Sequence, residues 1–244
     1  MRDRRFARTE MLVGSTALER LAGASVAVFG IGGVGSYAAE ALARAGVGRL
    51  TLVDHDVIDV TNINRQIHAL TETVGAAKTK TMARRIHSIN PACVVREIRA
   101  FYQPEAAEQF FLEPYDYVLD AVDTVTAKID LAVQCHRRDI PLIASMGAAN
   151  KLDPALFEVM DIYRTTGDPL ARILRKKLKE RGIPHLRVVC SRERPRTPEA
   201  GEAQPAAGRN SVPASISFVP SAAGLIMAGA VIRDLLNIRV EVSS

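Results

Sequence analysis

The stretch GIGGVG, residues 30–35, constrains the fold more than any other part of the chain. Gly30, Gly32 and Gly35 stand at G-x-G-x-x-G spacing, with Gly33 between them. The apolar run SVAVFG (25–30) precedes them, and VGSYAAEALARAGV (34–47), which has helical periodicity, follows. RLTLVD (49–54) then reads as a second strand. A strand, a glycine turn, a helix and another strand form a β-turn-α-β unit, which predicts a parallel sheet. Glycine lets the backbone turn tightly and approach a phosphate, while the helix N-terminus offers unpaired N–H groups to an anion. A turn used only for packing would need the same glycines, so nucleotide binding must be argued from what lies downstream.

The alternation continues. KTKTMARRIHSIN (78–90), EAAEQFF (105–111) and TAKIDLAVQCHRRD (126–139) read as helices. VVREIRAF (94–101), YDYVLDAVD (115–123) and PLIASMGA (141–148) read as strands. The fold class expected is α/β: a Rossmann-like, mostly parallel sheet with helices on both faces, plus a C-terminal extension. Beyond residue 150 the rhythm changes to a basic helix (169–183), a strand (185–191) and a stretch rich in Pro, Gly and charge (194–210) expected to be mobile. A strand and an apolar helix starting after Pro220 close the pattern. The 244 residues are read as one domain, with a nucleotide-binding core at 25–150 and a substrate-side extension at 151–244.

Composition narrows the class. Apolar residues make up 48%, enough for a sizeable core. Three separated cysteines, Cys93, Cys135 and Cys190, build neither a disulfide framework nor a CxxC zinc pair, which fits a reducing cytoplasm. The charged stretch MRDRRFARTEM has no apolar run behind it, unlike a secretory signal. The apolar part of 211–232 is shorter than the ~20 residues of a spanning helix, so no membrane is expected. A net charge of +5 suits an anionic partner.

Asp54 ends the second strand, where such folds bind the ribose hydroxyls of an adenine nucleotide, and NAD and ATP are equally served by it. Asp56, Asn62, Asn64, Arg65 and Gln66 follow, and GAAK ends in Lys78. Arg65 and Lys78 supply two cations suited to the charge on a triphosphate as pyrophosphate departs. Hydride transfer has no such need. Asp123, at the end of YVLDAVD, lies where ligands of open α/β sheets bind and is the candidate for magnesium. Each residue also has an ordinary reading: Asp56 as a turn cap, Asn62 and Asn64 as loop residues, Arg65 and Lys78 as surface charges, Asp123 as a helix N-cap. Their joint order favours nucleotidyl transfer.

GIGGVGS, LVDHDVIDVTNINRQ, VGAAKT, INP and VLDAVDT resemble the adenylation domain of ubiquitin-activating-type enzymes, including the activators of the molybdopterin and thiamine sulfur carriers. The resemblance implies ATP-dependent activation of a carboxylate as an acyl-adenylate. It implies that Gly30, Gly32, Gly33, Gly35, Asp54, Asp56, Asn62, Arg65, Gln66 and Lys78 bind ATP, that Asp123 serves Mg2+, and that Arg65, Lys78 and Asp123 act in catalysis. Arg8, in RFARTEMLVG, matches an arginine that reaches into the other subunit's site, which implies a homodimer. NRQIHAL, IASMGAAN, DPLARILRKKLKERGI and SISFVPSAAGLIMAGAVIRDL are similar to the tRNA threonylcarbamoyladenosine dehydratase branch of that family. That implies tRNA as substrate, with the activated threonyl carboxylate attacked from within the same nucleoside. Such chemistry needs no acceptor thiol, because the nucleophile is already in place. Cys190 is the one cysteine outside the nucleotide half and a minor catalytic candidate.

RILRKKLKER (172–181) is the densest positive stretch and a candidate for tRNA phosphates, with Arg192, Arg194, Arg196 and Arg209 as further candidates. A sulfur-relay protein is a further candidate partner, and two other functions remain open: adenylation of a sulfur-carrier protein's C-terminal glycine, and an NAD-dependent oxidoreductase or nucleotide-sensing module built on the same sheet.

Overall fold

A computed structural model describes residues 4–199 and 213–240. Seven strands form one sheet: β1 (Ser25–Phe29), β2 (Arg49–Val53), β3 (Val94–Ile98), β4 (Tyr117–Asp120), β5 (Leu142–Ser145), β6 (Phe157–Asp161) and β7 (Arg187–Ser191). Their spatial order is β3-β2-β1-β4-β5-β7-β6. All pairs are parallel except β6 with β7. The helices are α1 (Ala7–Val13), α2 (Ser15–Gly23), α3 (Gly35–Ala45), α4 (Lys78–Ile89), α5 (Val125–Arg137), α6 (Pro169–Glu180) and α7 (Phe218–Leu236). The expected doubly covered, mostly parallel sheet is present.

The apolar runs give strands buried on both faces, as a parallel sheet requires. Along β1, Val26 and Val28 pack into the cluster that holds α3, α4 and α7, whereas Ala27 and Phe29 point to the opposite face, against Tyr102, Phe110 and Leu131 of α5. The two-residue period of the strand thus divides one short segment between two cores. A third cluster joins α5 and α6 to β5 and β7 through Ile129, Ala144, Leu174 and Val188.

The chain order around β1 places the site. β2 pairs with one edge of β1 and β4 with the other, so the connections leave in opposite directions and a crevice opens at the strands' C-terminal ends.

Several elements differ from the sequence-based expectations. The 105–111 helix is a 3-10 segment, Pro104–Phe110, interrupted at Ala106. Among the described residues no strand lies between β7 and α7, which begins at Phe218 with Pro220 inside its first turn. A proline there removes only an N–H that has no helical partner, so it does not delay the helix. α7 is long and apolar enough to cross a membrane by length and composition. Here Val219, Ala223, Met227, Ala230 and Val231 are buried, and the helix packs against α3 and β5–β7. Of the stretch expected to be mobile, residues 200–210, with Arg209, lie outside the described residues.

Candidate active site

The crevice holds a cleft of about 620 Å³, lined by the glycine turn, the loop after β2, the loop after β4, and Pro213, Ser215 and Pro220. Each wall follows from local chemistry. Gly30 leaves β1 with φ +84°, and its amide donates to Val53 O at 2.8 Å. A Cβ on Gly35 would lie 1.8 Å from Gly30 O, so only glycine lets α3 start so close to the turn. Gly32 and Gly33 line the cleft between them.

Asp54 holds this turn from the second strand. Its Oδ2 accepts from Ile31 N at 2.7 Å and its Oδ1 from Asp56 N at 2.9 Å. Each carboxylate oxygen keeps a second lone pair for a ribose hydroxyl. Oxygens of Asp54 and Asp56 and a nitrogen of His55 lie within 4.8 Å of one another. Both oxygens of Asp54 already serve backbone amides, and Asp56 serves Lys78.

The segment after β2 folds into a 3-10 turn, Val60–Asn62, capped by Asp59, whose own amide donates to Asn62 Oδ1 at 3.2 Å. Asn62 therefore has its amide oxygen committed, and its NH2 group remains a donor for the cleft it lines. Arg65 donates to Thr61 O at 2.8 Å and Asn64 Oδ1 at 3.0 Å, and burial pushes its pKa down. Asn64 itself reaches away to Ser215 O at 3.1 Å, tying this loop to the start of the α7 segment. Lys78 begins α4 and points back, its Nζ 2.7 Å from Asp56 Oδ2. Gln66 is buried, with its Oε1 unpartnered among the described residues. On the far wall Asp123 lines the cleft and accepts from Thr124 Oγ1 at 3.4 Å. Thr124, not Asp123, is the N-cap residue of α5.

The sequence-based set thus converges: Gly30, Gly32, Gly33, Asp54, Asp56, Asn62, Arg65, Gln66, Lys78 and Asp123 line one cleft, and Gly35 supports it from below. Arg8 does not join them; it is exposed on α1. Cys190 is buried at the end of β7, its thiol pushed up to about 11 by burial, which is the reverse of what an activated thiolate needs. Sequence reasoning missed two aromatic wall residues and a buried histidine beside the lining segment. Phe101 and Tyr102 line the cleft after β3, with Phe101 edge-on to His55 at 4.9 Å. His68, two residues past Gln66, is buried with neither ring nitrogen partnered among the described residues. Burial, then the Lys78 and Arg85 charges, lower its pKa to about 4. An isolated histidine in a polar loop carries no pattern that marks it.

Two cations, Arg65 and Lys78, line the same cleft as the glycine turn and Asp123, an arrangement chemically able to take a polyphosphate. Mg2+ retains several waters and is bound by one or two carboxylates plus substrate phosphates, a donor set that Asp123 fits.

Comparison with known proteins agrees with this geometry. The model of the ThiF family matches residues 6–243. The tRNA threonylcarbamoyladenosine dehydratase of Bacillus subtilis is 50% identical over 95% of this chain and 94% of its own length. The crystal structure of the Escherichia coli enzyme of that name in complex with AMP superposes with a TM-score of 0.87 at 38% identity, covering 96% of this chain and 94% of that one. Its ATP complex gives 0.86, with the same identity and coverage.

Proposed function

The chain belongs to the ThiF family, and from that premise we propose that it is an ATP-dependent tRNA threonylcarbamoyladenosine dehydratase. The observation that carries this reading is the convergence of Arg65, Lys78 and Asp123 on the cleft at the glycine turn. In the first step the threonyl carboxylate attacks the α-phosphorus of ATP, the α–β phosphoanhydride bond breaks, and pyrophosphate leaves. In the second, a nucleophilic atom of the neighbouring carbamoyl group attacks the activated carbonyl, and AMP departs. The nucleoside loses the elements of one water while ATP becomes AMP and pyrophosphate.

Asp54 and the glycine turn hold the nucleoside end of ATP, and Asn62, Arg65, Gln66 and Lys78 the phosphates. Lys78 and Arg65 stabilise the charge that gathers on the leaving pyrophosphate; such preorganised donors contribute about 3 kcal/mol each. Mg2+, held through Asp123, would neutralise phosphate charge. No thiol is called upon, in keeping with three separate, buried cysteines, and the same fact counts against a sulfur-carrier activator with paired zinc ligands. The cation pair counts against an oxidoreductase.

We read residues 1–244 as a single adenylation domain, working in the cytoplasm as a homodimer in which Arg8 completes the neighbouring site; a sulfur-relay protein is a further candidate partner. For tRNA, the exposed Arg172, Lys176, Lys179 and Arg181 of the α6 region make a phosphate-binding face. Arg181 shares a hollow of about 390 Å³ with His136 and Arg137 at the end of α5.

The test is to incubate the protein with ATP, magnesium and tRNA bearing the threonylcarbamoyl mark and to follow the nucleoside by mass spectrometry. Loss of one water is expected. An unchanged nucleoside, with AMP transferred instead to a carrier-protein tail, overturns the reading.

A further inference from the structure

Next to the β4 wall of the cleft lies a buried ion pair whose two residues are not among those lining it. Asp120 ends β4 and Lys128 lies in the opening turns of α5; their side chains are 1% and 2% exposed. Lys128 Nζ stands 3.0 Å from Asp120 Oδ1, 2.8 Å from Ser145 O and 3.5 Å from Asp120 O. Asp120 Oδ1 also accepts from Val122 N at 3.1 Å. Between the two partners runs a loop of which Ala121, Val122, Asp123, Thr124 and Ala127 line the cleft. One ammonium therefore joins the loop's two ends and fixes them to the last residue of β5. A second buried lysine, Lys151, donates to Gly147 O at 2.6 Å, so the β5 exit is held on both sides of Met146 before Ala148 and Ala149 enter the cleft wall.

Stability alone does not account for this arrangement. Burying a lysine and an aspartate costs as much as their attraction returns, and an apolar pair of similar volume would serve the core equally well. Asp120 Oδ2 is buried and unpartnered among the described residues, a further penalty. A charged centre bonded in three fixed directions does supply what an apolar contact cannot, namely a defined path for the backbone it touches.

We propose that Asp120 and Lys128 are positioning residues: their buried pair sets the 121–124 loop and so fixes where Asp123 meets the phosphate-bound magnesium. This rests on the assignment of ATP to the cleft, although not on the identity of the tRNA mark. The pair touches no substrate.

Lys128→Met and Asp120→Asn are compared with Leu174→Ala, a buried truncation in α6 remote from the loop, with folding of each verified by circular dichroism. Binding of ATP with magnesium, and of AMP without it, is measured on tRNA-free protein by equilibrium dialysis. The expected result is that Lys128→Met weakens ATP–magnesium binding by on the order of tenfold or more. AMP binding, which does not use Asp123, should stay within about twofold, and Leu174→Ala should leave the ratio of the two affinities unchanged. Should Lys128→Met fail to fold, the isosteric Asp120→Asn decides, with the same direction expected. An unchanged ratio in the folded variants, or an equal change in Leu174→Ala, overturns the proposal. Because no tRNA is present, failure of the dehydratase reading would leave this outcome intact.

Discussion

Lys78 Nζ lies 2.7 Å from Asp56 Oδ2, yet the two partners occupy different surroundings: the lysine side chain is 7% exposed and the aspartate 47%. The ammonium is thus held at the cleft before any nucleotide arrives, by a carboxylate that water can still reach. A phosphate can then take over the ammonium at little cost, because Asp56 is resolvated rather than stranded. Lys78→Ala should lower the rate of AMP formation in a single turnover by roughly 10²- to 10³-fold. Asp56→Asn should cost much less in rate, since the cation survives. Equal losses in the two variants would show that Asp56 acts on substrate directly.

His68 makes stability depend on acid. In the folded chain its imidazole stays neutral down to about 4, whereas unfolding releases it to its ordinary range. Between about pH 6.5 and that lower value the unfolded state binds the additional proton, so stability is fully present above the window and falls as pH drops through it. The loss from this one group reaches at most about 3 kcal/mol. Urea unfolding of wild type and His68→Phe across that window should show a shallower decline in the variant; parallel curves would acquit His68.

Arg8 is exposed on α1 and absent from its own chain's cleft, so its proposed role is testable by mixing subunits. Arg8→Ala and Lys78→Ala proteins should each be nearly inactive alone. If each site takes Lys78 from one chain and Arg8 from the other, random re-pairing makes half the dimers mixed, with one complete site apiece. Activity should then return to roughly a quarter of wild type. No recovery after verified exchange would place Arg8 outside the neighbouring site.

The α6 charges predict salt-sensitive RNA binding. Replacing Lys176, Lys179 and Arg181 together by alanine should weaken tRNA binding and reduce the slope of log K against log salt by roughly one for each phosphate no longer neutralised. The KM for ATP should not change. Filter binding at several salt concentrations distinguishes this face from an ordinary solvated helix surface.

What can be read from the sequence follows a physical division. Residues 30–35 and 54–78 are legible because turn geometry and phosphate chemistry each demand particular residue types at fixed spacing. The YVLDAVD stretch shows the limit. Its two aspartates look alike in sequence, and the structure gives them different tasks: Asp120 is buried against Lys128, while Asp123 faces the cleft. Lys128 reads as an ordinary polar position of a helix, because nothing local shows that Ser145 O waits above it. The strand β6 carries little sequence signal because it is an edge strand with only Phe157 fully buried, leaving little apolar alternation. The start of α7 is not legible either, because the position of Pro220 within the first turn depends on where the helix docks against α3.

The cleft is finished by Pro213, Ser215 and Pro220, and Asn64 bonds across to Ser215 O. The nucleotide pocket is therefore closed by residues some 180 positions later in the chain than its glycine turn. On a translating ribosome the early strands can pair, but the emerging polypeptide holds only an open half-pocket until residues 213–220 leave the exit tunnel. Capture of nucleotide by the growing chain should therefore wait for that segment.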